Sequence, residues 1–235
     1  MTLGMRSSTS PSRQRRPWQA VVALWGALAL GGGQAWAGAQ VEEPLANAVR
    51  TALSAAVGNA APPAPVFADA AQKMAYERWV AATETRLIKR KPDDLVRREF
   101  LQTVWYEAKR AGLDPTLVLG LIEVESGFRK HAISSAGARG YMQVMPFWTR
   151  TIGDGDASRL FHMQTNLRFG CVILRHYLDR EKGNMFLALG RYNGSRGRAE
   201  YPNLVFGAER RWQALIQRET QVAGLTPAQA QTRAR

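Results

Sequence analysis

Apolar residues recur at the three- and four-residue spacing of an α-helix along almost the whole chain from Asp69 onward. No segment shows the alternation of apolar and polar residues that is typical of a half-buried strand, and no internal repeat is visible. Proline and glycine residues divide this pattern into separate segments. The sequence therefore predicts a mainly α fold, with helices at about Asp69 to Arg90, Asp94 to Gly112, Asp114 to Gly127, Thr165 to Lys182, Asn184 to Tyr192 and Ala208 to Gln221.

The apolar faces of the first two predicted helices indicate which of their side chains enter the core. In the first helix these are Met74, Trp79, Val80 and Leu87. In the second helix they are Phe100, Leu101, Val104, Trp105 and Ala108.

The first 37 residues have the pattern of a secretory signal peptide. A basic region with four arginines precedes the short apolar run from Val21 to Leu30, and Ala35-Trp36-Ala37 has the form of an A-x-A cleavage site. The apolar run is too short to span a bilayer comfortably, although an uncleaved N-terminal anchor stays open as the alternative. We therefore expect an exported, periplasmic protein whose residues 1–37 are a signal peptide.

The rest of the chain is expected to form one domain with a segment of different composition on each side. Residues 38–68 are rich in Ala and Pro and are predicted to be a linker, with a short helix around Leu45 to Val57. Residues 69–221 hold the helical pattern and enough apolar side chains to bury a core. Residues 222–235 are predicted to be a polar tail.

The chain is strongly basic, with a formal net charge of +13 at pH 7. Because the predicted signal peptide carries four arginines and no acidic residue, the part that follows it retains a charge of +9. Such a charge favours polyanionic partners, which include nucleic acid, anionic lipid and an acidic cell-wall polymer. Export argues against nucleic acid, and the basic residues are scattered rather than grouped with aromatic residues. We therefore predict no nucleic-acid partner.

Neither cysteine nor histidine indicates a metal or cofactor site. Cys171 is the only cysteine, which excludes an internal disulfide, and its place on an apolar helical stripe favours core packing. The three histidines, His131, His162 and His176, do not have the spacing of metal ligands. We expect no metal and no cofactor.

One glutamate interrupts the apolar face of the predicted helix that begins after Asp114. A step of about 100° per residue places Glu125 within the apolar arc that contains Leu121 and Ile122, whereas Glu123 falls towards the polar side. Burial destabilises the charged form of a carboxyl group, so the pKa of Glu125 is expected to rise. A carboxyl group that stays protonated near neutral pH is suited to general acid catalysis. An ion pair with an arginine, or fraying of the helix end, is the structural alternative.

Residues that suit a carbohydrate site follow this glutamate. Small residues dominate the loop that leads to Pro146, and they let a backbone approach a ligand closely. Gln143 offers two donors and an acceptor for sugar hydroxyl and N-acetyl groups, and Met145 and the two aromatic residues after Pro146 offer apolar faces. Tyr192-Asn193-Gly194 adds a phenol and an amide at the end of a later helix. Each piece alone also has a structural explanation as a turn, a core residue or a helix end.

Taken together, these residues resemble the pattern of the soluble-type lytic transglycosylase (SLT) family. That pattern is Glu-Ser-x-Phe, then Ala-x-Ser-x-x-Gly-Ala-x-Gly-Leu-Met-Gln-x-Met-Pro, then Tyr-Asn-Ala-Gly. The chain matches it at Glu125, Ser126, Phe128, Ala132, Ser134, Gly137, Ala138, Gly140, Met142, Gln143, Met145, Pro146, Tyr192 and Asn193. It departs from the pattern at Tyr141, where Leu is usual, and at Gly194-Ser195, which replaces Ala-Gly. The resemblance covers roughly Arg98 to Trp212.

The resemblance implies a lysozyme-like fold, of the goose-type lysozyme and SLT class, and a lytic transglycosylase reaction. In that reaction the β-1,4 bond between N-acetylmuramic acid and N-acetylglucosamine of peptidoglycan is cleaved and a 1,6-anhydro end is formed. Glu125 is the implied catalytic acid and then base. The residues implied to support it or to line the glycan subsites are Ser126, Ser134, Gln143, Met145, Tyr192 and Asn193. The implied partner is the peptidoglycan glycan strand, bound by a monomer that is peripheral to the cell wall, and a secretion-system partner is left open.

Most glycosidases use two carboxyl groups, but the family motif offers no second acid near Glu125. That absence fits a mechanism in which the N-acetyl group of the substrate stabilises the positively charged centre. Asp154 and Asp156 are the nearest acids downstream, and a surface turn is their favoured interpretation. Ser126 and His131 lack the orienting acid and the turn motif of a serine hydrolase. Two alternatives stay open: a lysozyme-type hydrolase with the same fold, and a non-catalytic peptidoglycan-binding or secretion-apparatus module.

Overall fold

A computed structural model describes Gln40 and residues 42–58 and 67–223 of the chain. Regular secondary structure in these residues is helical, and two isolated bridges, Ile133–Arg139 and Arg139–Val144, are their only β pairing. The mainly α fold class predicted from the sequence is therefore confirmed. The predicted signal peptide and almost all of the polar tail lie outside the described residues.

Eight α-helices and one short 3-10 helix make up the described part of the chain. The helices are α1 (Asn47–Gly58), α2 (Ala70–Leu87), α3 (Asp94–Arg110), α4 (Pro115–Ser126), α5 (Phe147–Ile152), α6 (Met163–Arg180), α7 (Met185–Asn193) and α8 (Glu200–Ala223), and the 3-10 helix is Ala157–Phe161. None of the described helices is long and apolar enough to cross a membrane.

Helix α4 lies at the centre of the core, with ten of its twelve residues buried. It packs most extensively against α8 and also contacts α3, while α6 contacts both α3 and α7. Gly120 permits the close approach of α4 to α8, because a Cβ atom there would lie only 2.8 Å from the backbone nitrogen of Glu209 and 3.1 Å from the carbonyl oxygen of Val205. The absence of a side chain at Gly120 therefore sets the distance between the two helices.

Both ends of α4 are capped, at the two residues that bound the predicted helix. Asp114 Oδ1 accepts hydrogen bonds from the backbone N–H groups of Thr116 (2.6 Å) and Leu117 (3.3 Å). Gly127 ends the helix in the left-handed conformation, with φ of 56°, which a glycine adopts without strain. These caps place Glu125 in the last turn, where the core meets the following loop.

Three features differ from the sequence prediction. Met74 is 53% exposed, so the prediction that it faces inward is wrong: the buried residues of α2 begin at Trp79, and its first turns lie outside the core. Helix α8 begins at Glu200 rather than near Ala208, because Pro202 lies in its first turn, where a missing N–H group costs no intrahelical hydrogen bond. Helix α5 and the 3-10 helix were not predicted, since they are too short to show a helical period.

Candidate active site

The carboxyl group of Glu125 is sealed from solvent at the end of α4. The residue is 1% exposed, and its Oε1 atom accepts a hydrogen bond from the hydroxyl of Tyr201. Its Oε2 atom has no hydrogen-bond partner among the described residues, and none of their lysine or arginine side chains forms an ion pair with it. The structural alternative of an arginine pair is therefore not observed. Glu125 is therefore fully buried, with one oxygen hydrogen-bonded to Tyr201 and the other without a hydrogen-bond partner among the described residues.

Burial raises the pKa of Glu125 to about 8, and the hydrogen bond from Tyr201 partly opposes that rise. Tyr201 is itself buried, and its pKa lies well above the usual value because of desolvation and the neighbouring carboxyl group. The phenol therefore stays protonated and acts as the donor. At neutral pH the dominant form of Glu125 is the neutral acid, which can give up a proton.

No motif in the sequence marks Tyr201 as a site residue. It stands in the first turn of α8, ahead of the predicted start of that helix near Ala208. Pro202 is the signal that could have located this turn, because proline is favoured in the first turn of a helix. A bulky aromatic residue beside such a proline, eight residues after the Tyr192-Asn193 block, would then have been a candidate.

The loop after Glu125 is held by hydrogen bonds from the predicted site residues. Ser126 Oγ donates to the carbonyl oxygen of Tyr141 (2.7 Å), and Tyr192 Oη donates to the carbonyl oxygen of Met142 (2.8 Å). Both side chains are buried. Ser126 and Tyr192 therefore fix the backbone of 141–142 beside the carboxyl group.

Gln143 is buried in the same loop in a left-handed conformation, with φ of 49°. Its Nε2 atom donates to the carbonyl oxygens of Ala132 (3.1 Å) and Gly140 (2.9 Å), so both of its N–H donors serve the loop. Ser134 Oγ accepts from the backbone N–H of Ala138 (3.0 Å) and closes the preceding turn. The two side chains shape the loop around Glu125.

Two predicted site residues keep groups that a ligand could contact. Met145 is half-buried against the core. Asn193 donates through Nδ2 to Ser195 Oγ (3.0 Å), while its Oδ1 atom is buried and has no hydrogen-bond partner among the described residues. A buried amide oxygen without a partner is costly unless a ligand or water satisfies it.

The region that carries these residues is similar to a known protein family. Residues 102–212 match the family model of the transglycosylase SLT domain. The chain carries an SLT domain. This match and the helical structure agree with the lysozyme-like fold class that the sequence resemblance implied.

Similar proteins include two that are named as transglycosylases. The chain is 40% identical over 88 residues to membrane-bound lytic murein transglycosylase C of Actinobacillus pleuropneumoniae serotype 5b (strain L20), which covers 33% of this chain and 23% of that protein. It is 31% identical over 103 residues to the transglycosylase of Enterobacteria phage PRD1, covering 44% of this chain and 37% of the phage protein. The chain therefore spans well under half the length of these relatives.

A solved structure also shows similarity to this chain. It is that of an inactive mutant of lytic transglycosylase Slt from Pseudomonas aeruginosa, with a TM-score of 0.38 and 25% sequence identity. The match covers 50% of this chain and 22% of that one.

Asn166 is a second residue near the site that no sequence motif marks. Its Oδ1 atom accepts from the backbone N–H of Met142, and its Nδ2 atom donates to the carbonyl oxygens of Arg139 and Leu160, each at 2.8 Å. Gly140 makes room for this amide, because a Cβ atom there would lie 2.3 Å from Asn166 Nδ2. Asn166 therefore joins α6 to the loop that surrounds Glu125.

Other candidates from the sequence do not lie at the site. The aromatic residues Phe147 and Trp148 are buried in the core rather than open to a sugar, and Trp148 Nε1 donates to Gln40 Oε1 (2.8 Å). Asp154 forms an ion pair with Arg159, and Asp156 caps the 3-10 helix, as expected of a surface turn. Among the described residues, no group of three or more His, Cys, Asp or Glu side chains is placed to hold a metal ion.

Proposed function

We propose that this protein is a peptidoglycan lytic transglycosylase and that Glu125 is its catalytic residue. The observation that carries the proposal is the state of that carboxyl group. It is fully buried, it is not ion-paired within the described residues, and burial raises its pKa to about 8. A glutamate in this state is protonated at neutral pH and can act as a general acid.

In the proposed reaction Glu125 acts twice. The neutral acid first protonates the oxygen of the glycosidic bond between N-acetylmuramic acid and N-acetylglucosamine, and that bond breaks. The resulting carboxylate then removes the proton from the 6-hydroxyl of the muramoyl residue, whose oxygen attacks C1 and closes the 1,6-anhydro ring. The proton returns to Glu125, so the cycle consumes no water.

The surroundings of Glu125 support a mechanism with one carboxyl group. Burial and the Tyr201 hydroxyl account for the shift in its pKa, and no second carboxylate of the described residues contributes to it. Hydrolases with two acids place the second carboxyl group within about 5 to 10 Å of the first. We propose that the N-acetyl group of the substrate stabilises the positive charge that develops at C1.

The other predicted site residues are given two roles in this proposal. Asn193 and Met145 contact the glycan, because the Oδ1 atom of Asn193 and the exposed part of Met145 are not used within the described structure. The residues that position the surrounding loop through hydrogen bonds are Ser126, Ser134, Gln143 and Tyr192.

We further propose that the protein is exported to the periplasm and acts there on glycan strands as a monomer peripheral to the cell wall. The predicted signal peptide and the basic charge of the remaining chain support this location. Similarity to proteins named as lytic murein transglycosylases supports the substrate. A secretion-apparatus partner stays open, and the proposed reaction does not require one.

Mass spectrometry of the fragments released from purified sacculi tests the reaction. We expect fragments with 1,6-anhydro ends, each lighter by one water than the corresponding hydrolysed fragment. Hydrolysed fragments would instead favour the lysozyme-type alternative, and a protein that binds sacculi without releasing fragments would favour the non-catalytic module. Glu123→Gln is the matched control for substitution of Glu125, because Glu123 lies on the same helix and pairs with Arg86 and Arg211 outside the site.

A further inference from the structure

A basic pocket lies beside the C-terminal end of α4. Its volume is about 840 Å³, and its walls come from the loop between α2 and α3, from Val96 of α3, from residues 127–133 and from Tyr141. Five lining residues are basic: Lys89, Arg90, Lys91, Arg129 and Lys130. The only acidic lining residue is Asp93, whose Oδ1 atom is already engaged in capping α3 through the backbone N–H of Val96 (2.9 Å).

The positive charge of this pocket is not neutralised within the described part of the chain. None of the five basic side chains forms an ion pair with a described carboxylate. Elsewhere in the domain, buried or half-buried arginines such as Arg97 and Arg191 do form such pairs. Five unpaired cations around one cavity create a positive potential that attracts anions.

Lys91 gives the pocket a buried cation. The residue is 6% exposed, and its Nζ atom donates to Tyr141 Oη (2.6 Å) and lies over the rings of Phe100 (4.4 Å) and Tyr141 (4.2 Å). Burial and the positive charge of Lys130 lower the pKa of Lys91 to about 8. An anion bound beside it would stabilise the charged ammonium.

The pocket adjoins the candidate active site. Two of its lining residues, Tyr141 and Ala132, accept hydrogen bonds from Ser126 Oγ (2.7 Å) and Gln143 Nε2 (3.1 Å). Gly127, another lining residue, follows Glu125 by two positions. A ligand in the pocket and a glycan at Glu125 would therefore share the same loop.

We propose that this pocket binds the carboxylate groups of the stem peptides that the glycan strand carries. The inference rests on the proposed function, because it treats the glycan at Glu125 as peptidoglycan. A short acidic peptide matches the pocket in charge, since carboxylates form strong hydrogen bonds with guanidinium and ammonium groups. It also matches in size, because pockets of several hundred cubic ångströms hold ligands of this scale. The domain then distinguishes peptide-bearing strands from bare ones.

The test uses two triple variants that remove the same charge. The pocket variant is Lys89→Gln, Arg90→Gln and Lys130→Gln. The control variant is Arg78→Gln, Arg210→Gln and Arg218→Gln. All six side chains are exposed and form no ion pair among the described residues, and the three control positions do not line the pocket.

Each protein is assayed on glycan strands with free stem-peptide carboxyl groups and on strands whose carboxyl groups have been converted to methyl amides. We expect the pocket variant to lose about tenfold in kcat/KM on the free-carboxyl strands, because each exposed ion pair contributes a factor of about 1.5 to 5. On the amidated strands it should stay within about twofold of the unsubstituted protein. An equal loss on both strands, or an equal loss in the control variant, would overturn the proposal.

A binding measurement separates this proposal from the proposed function. Calorimetry follows the titration of a synthetic acidic stem tetrapeptide into the unsubstituted protein and into both triple variants. Binding that the pocket variant loses and the control retains supports the pocket even if no strand is cleaved, in which case the catalytic proposal alone has failed. Equal binding by all three proteins, or no binding by any of them, contradicts the pocket.

Discussion

Two glutamates in this domain are equally buried but have opposite surroundings. Glu107 on α3 and Glu125 on α4 are each 1% exposed. Glu107 forms an ion pair with Arg168 of α6 (2.8 Å) and a longer one with Arg110 (3.4 Å), whereas Glu125 accepts a hydrogen bond from the neutral phenol of Tyr201. Burial alone therefore does not make a catalytic acid. The charge of the partner decides whether a buried carboxyl group stabilises the fold or stays able to give up a proton.

The largest expected effect comes from Glu125→Gln. The amide resembles the neutral acid in shape and can still accept the hydrogen bond from Tyr201, but it has no proton to transfer. Turnover should fall by at least about 10²-fold, which is the usual contribution of general acid catalysis. Release of soluble fragments from sacculi measures this loss, and thermal unfolding should show that the fold is retained. Turnover close to that of the Glu123→Gln control would contradict the assignment of Glu125.

Glu107→Gln should lower the stability of the fold and leave the turnover nearly unchanged. It removes the negative charge that faces the buried guanidinium of Arg168, and breaking a buried ion pair from one side costs about 3 kcal/mol of unfolding free energy. The turnover of the protein that remains folded should change little, because the partners of Glu107 are Arg110 and Arg168 and it forms no hydrogen bond with Glu125 or Tyr201. Urea unfolding and activity per folded molecule measure the two effects. A loss of turnover without a loss of stability would contradict the purely structural role assigned to Glu107.

The smallest expected effect is that of Tyr201→Phe. The Tyr201 hydrogen bond lowers the pKa of Glu125, so its loss should raise that pKa above about 8. Because the reaction needs the protonated acid, activity falls as pH rises through this pKa, and the alkaline limb should move to higher pH. Turnover at neutral pH should fall by about tenfold, as expected for loss of one hydrogen bond that positions the carboxyl group. Tyr106→Phe, at a half-buried tyrosine of α3, is the control and should leave the pH profile unchanged.

Much of α4 could be predicted from the sequence because its determinants are local. Asp114, Pro115 and Gly127 specify the ends of the helix through neighbouring backbone groups. Once those ends are set, helix geometry places Glu125 on the apolar face, and the structure agrees.

The partners of the two buried glutamates could not be predicted, because they come from distant parts of the chain. Tyr201 lies 76 residues after Glu125, and Arg168 lies 61 residues after Glu107. No periodicity links such positions, and only the packing of α8 on α4 and of α6 on α3 brings them together. Met74 shows that burial also depends on distant parts of the chain. It lies on the face of α2 that the sequence predicts to be buried, but it stays exposed because no second element of the described residues covers it.

The glycine contact between α4 and α8 has a consequence for the motions of the domain. Because the two backbones meet at Gly120, neither helix can shift there without disturbing the other, and this contact holds together the backbones that carry Glu125 and Tyr201. Separation of these backbones requires α4 to leave α8, which removes the centre of the core. Amide hydrogens in the middle of α4 should therefore exchange with solvent only through global unfolding, and the slowest-exchanging helix is the one that carries the acid.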